Sequence, residues 1–181
     1  MESPEDVLAM IWRELGQAVH LPGHAWRFGV LATAAPAARL LVLRGVDAEG
    51  GLLTAYTDVR SEKVQQIRTD PRVEWLFWHS DGMQLRLRCT AVVQVEGERV
   101  EQCWAGLSPP ARREYAGLAL PGAAIEGPAA EQSDEEAARQ NFALLRCRAE
   151  TIECLQLGQG GVHRRLRFAR ALGWRGTWHA P

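Results

Sequence analysis

Lysine is almost absent from this sequence: of 21 basic residues twenty are arginine, and Lys63 stands alone. A composition biased toward arginine accounts for the twenty, which leaves the position of the exception as the informative part. An excess of charge of one sign is lacking too, since 21 basic residues face 22 acidic ones for a formal net charge of −1. No overall field therefore draws the chain onto nucleic acid or anionic lipid. No run approaches the roughly 18 apolar residues that a membrane helix needs. Met1-Glu2-Ser3-Pro4-Glu5-Asp6 is acidic where a secretory leader begins basic. Cysteine is sparse, and Cys89, Cys103, Cys147 and Cys154 form no C-x-x-C pair or metal-finger spacing. They read as buried apolar thiols in a reducing cytoplasm. G-x-S-x-G, a nucleophile–base pair and an acidic metal cluster are missing as well. The expectation is a cytoplasmic protein with no nucleic-acid, membrane or metal partner.

What is present is 46% hydrophobic residues over 181 positions, enough for one domain with a substantial core. Ser3 is placed to cap a helix, Pro4 suits its first turn, and Glu5 and Asp6 meet the positive end of its dipole. Val7, Leu8, Ile11, Leu15 and Val19 trace one face of that helix, which ends near Pro22-Gly23. The periodicity then changes to two. Residues 26–33, 39–46 and 51–57 read as short strands, parted by Ala35-Pro36 and Asp47-Ala48-Glu49-Gly50-Gly51. Residues 58–70 read as a short helix stopped by Pro71, and 73–79 and 83–96 as strands joined by a tight Ser80-Asp81-Gly82 turn. Helices follow over 98–106 and 108–117, then the longest loop over 118–132. Ser133-Asp134-Glu135-Glu136 caps a further short helix, and 142–157 and 162–179 are the closing antiparallel strands. Roughly six strands with helices inserted between some of them predict an α+β, mainly β, antiparallel barrel with peripheral helices. The regular strand–helix alternation of a doubly wound sheet is missing. No repeat or linker divides the chain, so 1–181 reads as one domain, with an N-terminal helix over 1–24 and a helical insertion and loop over 98–140.

The densest local signal is Tyr56-Thr57-Asp58-Val59-Arg60-Ser61-Glu62-Lys63. A strand ends, a hydroxyl follows, and a helix opens with a serine and a lysine in its first turn. Free backbone N–H groups at a helix start favour an anion, and a nearby cation strengthens that. Lysine does little for the helix itself there, because the dipole repels it. The segment reads either as a phosphate site or as a capped surface helix with a solvated lysine. Arg39 and Arg44 bracket Leu40-Leu41-Val42-Leu43, and strict alternation puts them on opposite faces of one strand. They reach one ligand only through a bulge or through two subunits; otherwise they are ordinary strand ends. Gln84-Leu85-Arg86-Leu87-Arg88 alternates cleanly, with Gln84, Arg86 and Arg88 on one face. The glutamine amide suits a planar heterocycle, while the arginines suit solvent or acidic partners. His163-Arg164-Arg165-Leu166-Arg167-Phe168 behaves likewise, with Leu166 and Phe168 inward. Seven tryptophans read as core or dimer contacts rather than base-stacking platforms.

Taken in order, these segments resemble the pyridoxamine 5'-phosphate oxidase-like family of FMN-binding split-barrel flavoproteins, from about Trp26 to Pro181. The resemblance rests on the Arg39-to-Arg44 strand, on Tyr56-Thr57-Asp58-x-Arg60-Ser61-x-Lys63, on Asp70-Pro71-Arg72-Val73, on Gln84-Leu85-Arg86-Leu87-Arg88, and on His163-Arg164-Arg165-x-Arg167-Phe168. It implies a six-stranded FMN-binding split barrel and a homodimer with FMN at the interface. Arg39 and Lys63 would hold the FMN phosphate with Ser61 and the adjoining helix start. Tyr56 and Thr57 match flavin or ribityl contacts, Gln84 would bond the isoalloxazine edge, and Arg44 and Arg167 match positions near the flavin. Departures accompany these matches. Glu62 stands where the oxidase has an arginine, Leu155 where it has a flavin-contacting tryptophan, and His163-Arg164-Arg165 where it has an Arg-x-His substrate pair. Arg112, Tyr115 and Arg165 are the candidate substrate contacts, and no residue is assigned to catalysis. The implied activity is an FMN-dependent oxidoreductase of unassigned substrate, the alternative a non-catalytic FMN carrier or sensor.

Overall fold

The computed structural model describes residues 3–127, 134 and 137–181. Its first helix, α1 (Pro4–His20), starts as the sequence predicts: the Ser3 hydroxyl accepts from Asp6 N, and the Asp6 carboxylate accepts from Ser3 N, closing a capping box. Its buried face, Val7, Ile11, Trp12, Leu15 and Ala18, joins the main core.

Among the described residues nine strands form one antiparallel sheet: β1 (Phe28–Thr33), β2 (Ala37–Val42), β3 (Gly45–Asp47), β4 (Leu52–Asp58), β5 (Arg72–His79), β6 (Met83–Gln94), β7 (Phe142–Gln156), β8 (Arg164–Ala169) and β9 (Gly176–His179). The strand order is β2-β1-β5-β6-β7-β4-β3, with β8 and β9 added on β7. β7 is the hub. It pairs with β6 along its length, with β4 over its first half and with β8 over its second. Only Leu43 and Arg44 separate β2 from β3, yet these strands are the two ends of the path. The sheet must therefore roll until its ends meet. Leu43 N donates to Arg27 O beside β1, and Arg44 N donates to Thr54 O on β4. No ladder joins β2 to β3, so the roll stays open.

The expected closed, six-stranded barrel is thus corrected to an open roll with more strands. Two runs that read as single strands each break in two. Residues 39–46 change partner at Leu43–Arg44, handing the chain from β1 to β4. Residues 162–179 turn back at Gly173 (φ 63°) and Trp174 (φ 61°) to make the β8–β9 hairpin. The expected helix over 58–70 begins later, as α2 (Glu62–Thr69), because residues 58–61 form a turn closed by Ser61 N to Asp58 O. The insertion carries α3 (Glu98–Ala105), α4 (Pro109–Arg113) and α5 (Ala138–Asn141). The cap read over Ser133-Asp134-Glu135-Glu136 and the end of the 118–132 loop lie outside the described residues, Asp134 excepted. Asp134 Oδ1 accepts from Ala137 N at 3.1 Å. No described helix is long and apolar enough to cross a membrane.

The main core fills the roll with Trp26, Leu31, Leu53, Trp75, Phe77, Leu85, Leu87, Ile152 and Phe168, all essentially buried. Trp75 and Phe77 stack at 5.4 Å on the inner face, in register with β1. Buried Gly29 leaves room for them: an added Cβ would lie 2.5 Å from Phe77 Cε1 and 2.7 Å from Trp75 Cε3. Gly29→Ala is accordingly expected to destabilise by about 1–3 kcal/mol through overpacking, read as a lowered urea midpoint at unchanged slope. A second core, Val100, Tyr115, Ala116, Ala138, Phe142 and Leu144, binds the helical insertion to the start of β7.

Candidate functional site

The end of β4 and the start of α2 bring three predicted residues together. Lys63 Nζ donates to Thr57 Oγ1 at 3.1 Å and to Ser61 Oγ at 3.0 Å. Ser61 is the N-cap residue of α2, but its hydroxyl donates to Asp58 O at 2.7 Å instead of capping the helix. Thr57 and Ser61 are buried and Lys63 is half-buried. Arg39 stands alongside on β2. Its guanidinium donates to Gln66 Oε1 at 3.0 Å, Thr33 Oγ1 at 3.2 Å and Ala37 O at 3.1 Å. Burial pushes the Lys63 ammonium below the usual lysine range, repulsion from Arg39 pushes it further, and Asp58 opposes both. Neither Arg39 nor Lys63 pairs with a carboxylate among the described residues. Two adjacent cations and a helix start without its side-chain cap are the donor set of an oxyanion cradle, with the Thr57 and Ser61 hydroxyls holding the ammonium in place.

Gln66 and Thr33 belong to this cradle and escaped the sequence reading. Gln66 sits one turn after Glu62, whose Oε1 accepts from Gln66 Nε2 at 2.8 Å, which leaves the amide oxygen for Arg39 and for Thr33 at 2.7 Å. Glu62 therefore sets the glutamine and does not lie on the ammonium. The spacing of Glu62, Lys63 and Gln66 on one short helix was the available signal.

Arg44 lies elsewhere. Its guanidinium stands 5.4 Å from the centroid of the Tyr56 ring, on the face of β4 opposite Thr57. Tyr56 packs edge-on to Phe142 at 5.1 Å, and Phe142 meets Tyr115 at 5.1 Å and Trp104 at 5.4 Å. Arg112 covers the Trp104 ring at 5.3 Å. Burial and a hydrogen bond with Cys103 raise the Tyr56 phenol to about 12, and burial raises that of Tyr115 further. Both are neutral donors at physiological pH. Cys103, read as a buried thiol, is half-exposed beside Tyr56, whereas Cys89, Cys147 and Cys154 are buried.

Gln84, Arg165 and Arg167 occupy a third place, the outer face of the sheet. Gln84, Leu155 and Arg165 stand opposite one another across β6, β7 and β8, with Arg86, Glu153 and Arg167 in the next row. The Gln84 and Arg167 side chains make no hydrogen bond or ion pair among the described residues, while Arg165 pairs with Glu153 at 2.9 Å. Along β7, Tyr56 stands opposite Leu144 and Gln84 opposite Leu155. Eleven residues of strand, roughly 35 Å of path, separate these two positions in one chain.

Residues 11–95 match the family model of the pyridoxamine 5'-phosphate oxidase FMN-binding domain. A pyridoxamine 5'-phosphate oxidase-related, FMN binding protein from Nostoc punctiforme is 24% identical, with 96% of each chain covered and a TM-score of 0.74. PhzG from Burkholderia lata, solved in complex with tetrahydrophenazine-1-carboxylic acid, is 19% identical over 100% of this chain and 94% of its own, with a TM-score of 0.75. General Stress Protein 26 from Bacillus anthracis is 19% identical over 80% of this chain and 92% of its own, at 0.51. No curated protein is similar in sequence at a significant level. At these identities the solved structures establish the shared fold.

Proposed function

Residues 11–95 belong to the pyridoxamine 5'-phosphate oxidase FMN-binding domain family, and from that premise we propose that the protein is an FMN-dependent oxidoreductase acting on a substrate still to be assigned. The observation that carries this reading is the cradle of Arg39, Thr57, Ser61 and Lys63, two cations with no carboxylate paired to them among the described residues, set beside buried hydroxyls. That donor set fits a phosphate monoester, which offers a dianion and several acceptor oxygens. In this reading Arg39 and Lys63 hold the FMN phosphate, and the Ser61 and Thr57 hydroxyls, which accept from Lys63, orient the ammonium toward it. A bound flavin supplies reversible acceptance of electrons and hydride, chemistry that no side chain here provides. Tyr56 packs at the flavin or its ribityl chain, and Arg44 beside it contributes fixed positive charge.

Gln84 and Arg167 are assigned to the same flavin from a second copy of the chain. Tyr56 and Gln84 of one chain lie too far apart along β7 for one flavin to touch both. A homodimer with FMN at the interface removes the difficulty, since each site then draws Tyr56 from one chain and Gln84 from its partner. Arg112 and Tyr115 on one side and Arg165 on the other are the matching substrate candidates. We read 1–181 as one such domain, and the four free thiols fit a cytoplasmic location.

The test is the absorbance spectrum of the untreated protein, with mass identification of what it releases. Flavin bands and the mass of FMN are expected; a colourless protein that does not take up added FMN would contradict the proposal. Bleaching by NAD(P)H or a pyridoxine-type reductant, reversed in air, is expected of the oxidoreductase. A yellow protein that no reductant of this kind bleaches is instead a carrier or sensor.

A further inference from the structure

Two carboxylates lie within the segment that carries the cradle, and among the described residues neither pairs with Arg39 or Lys63. Glu62 accepts from Gln66. Asp58 is taken by Arg60, two residues on in the turn between β4 and α2. Arg60 Nε donates to Asp58 Oδ1 at 3.0 Å, Arg60 Nη2 to Oδ2 at 2.6 Å, and the Arg60 backbone N to Oδ1 at 2.8 Å. Both carboxylate oxygens are thereby used, and the pair is largely buried, with 22% of the Arg60 side chain and 11% of the Asp58 side chain exposed. The remaining guanidinium nitrogen, Nη1, donates to Gly117 O at 2.9 Å in the helical insertion. Val59 N donates to Asn141 O at 2.8 Å, and Asn141 Nδ2 donates to Tyr115 O at 2.8 Å, so the turn is fastened to the insertion twice. Asp58 follows Thr57 in β4, and alternation puts its side chain on the Tyr56 face, away from the hydroxyl that Lys63 meets. Its charge still reaches the ammonium, where it opposes the effects of burial and of Arg39.

We propose that Arg60 is a positioning residue of the phosphate site, one that sets its preference for a phosphorylated ligand by neutralising Asp58 and holding that carboxylate against the insertion, clear of the anion. The inference rests on the assignment of a flavin phosphate to the cradle. A phosphate monoester brings about two negative charges, and an unopposed acid beside the cradle would repel them. Arg39 and Lys63 keep their charge for the ligand only while Asp58 is occupied elsewhere. Arg60 acts through Asp58 and not on the ligand, so its effect depends on the acid being there.

Titration of the flavin-free protein with FMN and with riboflavin reads the effect as a ratio of affinities. Arg60→Gln is expected to weaken FMN about three- to tenfold, the scale of one added charge at a partly buried site, while riboflavin changes little. The loss should shrink at high salt. The double variant Arg60→Gln, Asp58→Asn is expected to restore the ratio of the unaltered protein, because the acid that needed a partner is gone. Asp58→Asn alone should tighten FMN, since Arg60 is then an unpaired cation beside the cradle. A brace with no electrostatic role would weaken both ligands alike, and a direct phosphate contact by Arg60 would leave the double variant as weak as Arg60→Gln. Either result overturns the inference. Should Arg60→Gln fail to fold, Asp58→Asn decides: tighter FMN supports the role, and unchanged or weaker FMN overturns it. An unaltered protein that binds FMN no better than riboflavin contradicts the cradle assignment and this inference with it. One that prefers FMN, with the preference unmoved in Arg60→Gln, contradicts the role of Arg60 alone.

Discussion

Lys63→Ala is expected to weaken FMN about 10- to 100-fold while leaving riboflavin nearly untouched, since one charge-assisted hydrogen bond to a phosphate is worth about 1.5–3 kcal/mol and only FMN carries the phosphate. Isothermal titration of the flavin-free protein with both ligands measures the ratio. Equal losses would remove Lys63 from the phosphate site. The substitution should cost little stability, within about 1 kcal/mol. The ammonium is half-buried beside Arg39 and paired with no carboxylate among the described residues, and Ser61 keeps its bond to Asp58 O when the ammonium is gone. A pH series separates the two roles. Lys63 has its folded value lowered from 10.5, so between that lowered value and 10.5 the unfolded chain binds more protons. The ligand-free protein therefore gains stability as pH rises through that window. FMN affinity moves the other way, falling as the ammonium in the site loses its proton. Lys63→Arg, which stays charged, should flatten the alkaline fall. On the acid side, affinity should decline as the phosphate takes up its second proton near pH 6.

How far such a site was legible depends on whether its parts are local. The lone lysine and the Thr57–Ser61–Lys63 spacing lie within seven residues, and the fold keeps them in mutual contact. The face alternation of Gln84, Arg86 and Arg88 against buried Leu85 and Leu87 also holds, because period two is enforced by the core. Arg39 and Arg44 do part, one at the cradle and the other over Tyr56, but not as opposite faces of one strand, because the run breaks at Leu43–Arg44 and leaves Arg44 between β2 and β3. What alternation could not supply is the identity of a strand's partner. The transfer of the chain from β1 to β4 at Leu43–Arg44 is made by hydrogen bonds to Arg27 and Thr54, residues distant in sequence. The β8–β9 turn uses a tryptophan at positive φ after Gly173, a conformation the residue type argues against. The pairing of Arg165 with Glu153 and not with a ligand is likewise a matter of register across β7 and β8. Gln66 was missed because its role requires Arg39, which arrives from another strand.

Phe142→Ala is the substitution expected to act most broadly, and it should do so in the complementary pattern. The ring is fully buried and touches Tyr56, Tyr115 and Trp104 with centroids 5.1, 5.1 and 5.4 Å away. Deleting a buried phenyl ring costs about 3–5 kcal/mol, which for a chain of this length lowers Tm by roughly 6–20 °C. Phe142 also begins β7, opposite Asp58 in the β4 register, so its loss loosens the side of β4 that presents Tyr56 to Arg44. The cradle of Arg39, Thr57, Ser61 and Lys63 lies on the other face of β4 and keeps its own bonds. FMN and riboflavin should therefore weaken by similar factors, leaving their affinity ratio near that of the unaltered protein, in contrast to the collapse of that ratio in Lys63→Ala. Measuring both ligands on both variants, below the lowered Tm, places each residue by the part of the ligand it serves. If Phe142→Ala changed the ratio as Lys63→Ala does, the aromatic cluster and the phosphate cradle would be a single coupled unit, and the assignment of Tyr56 and Arg44 to the ring end of the flavin would fall with it.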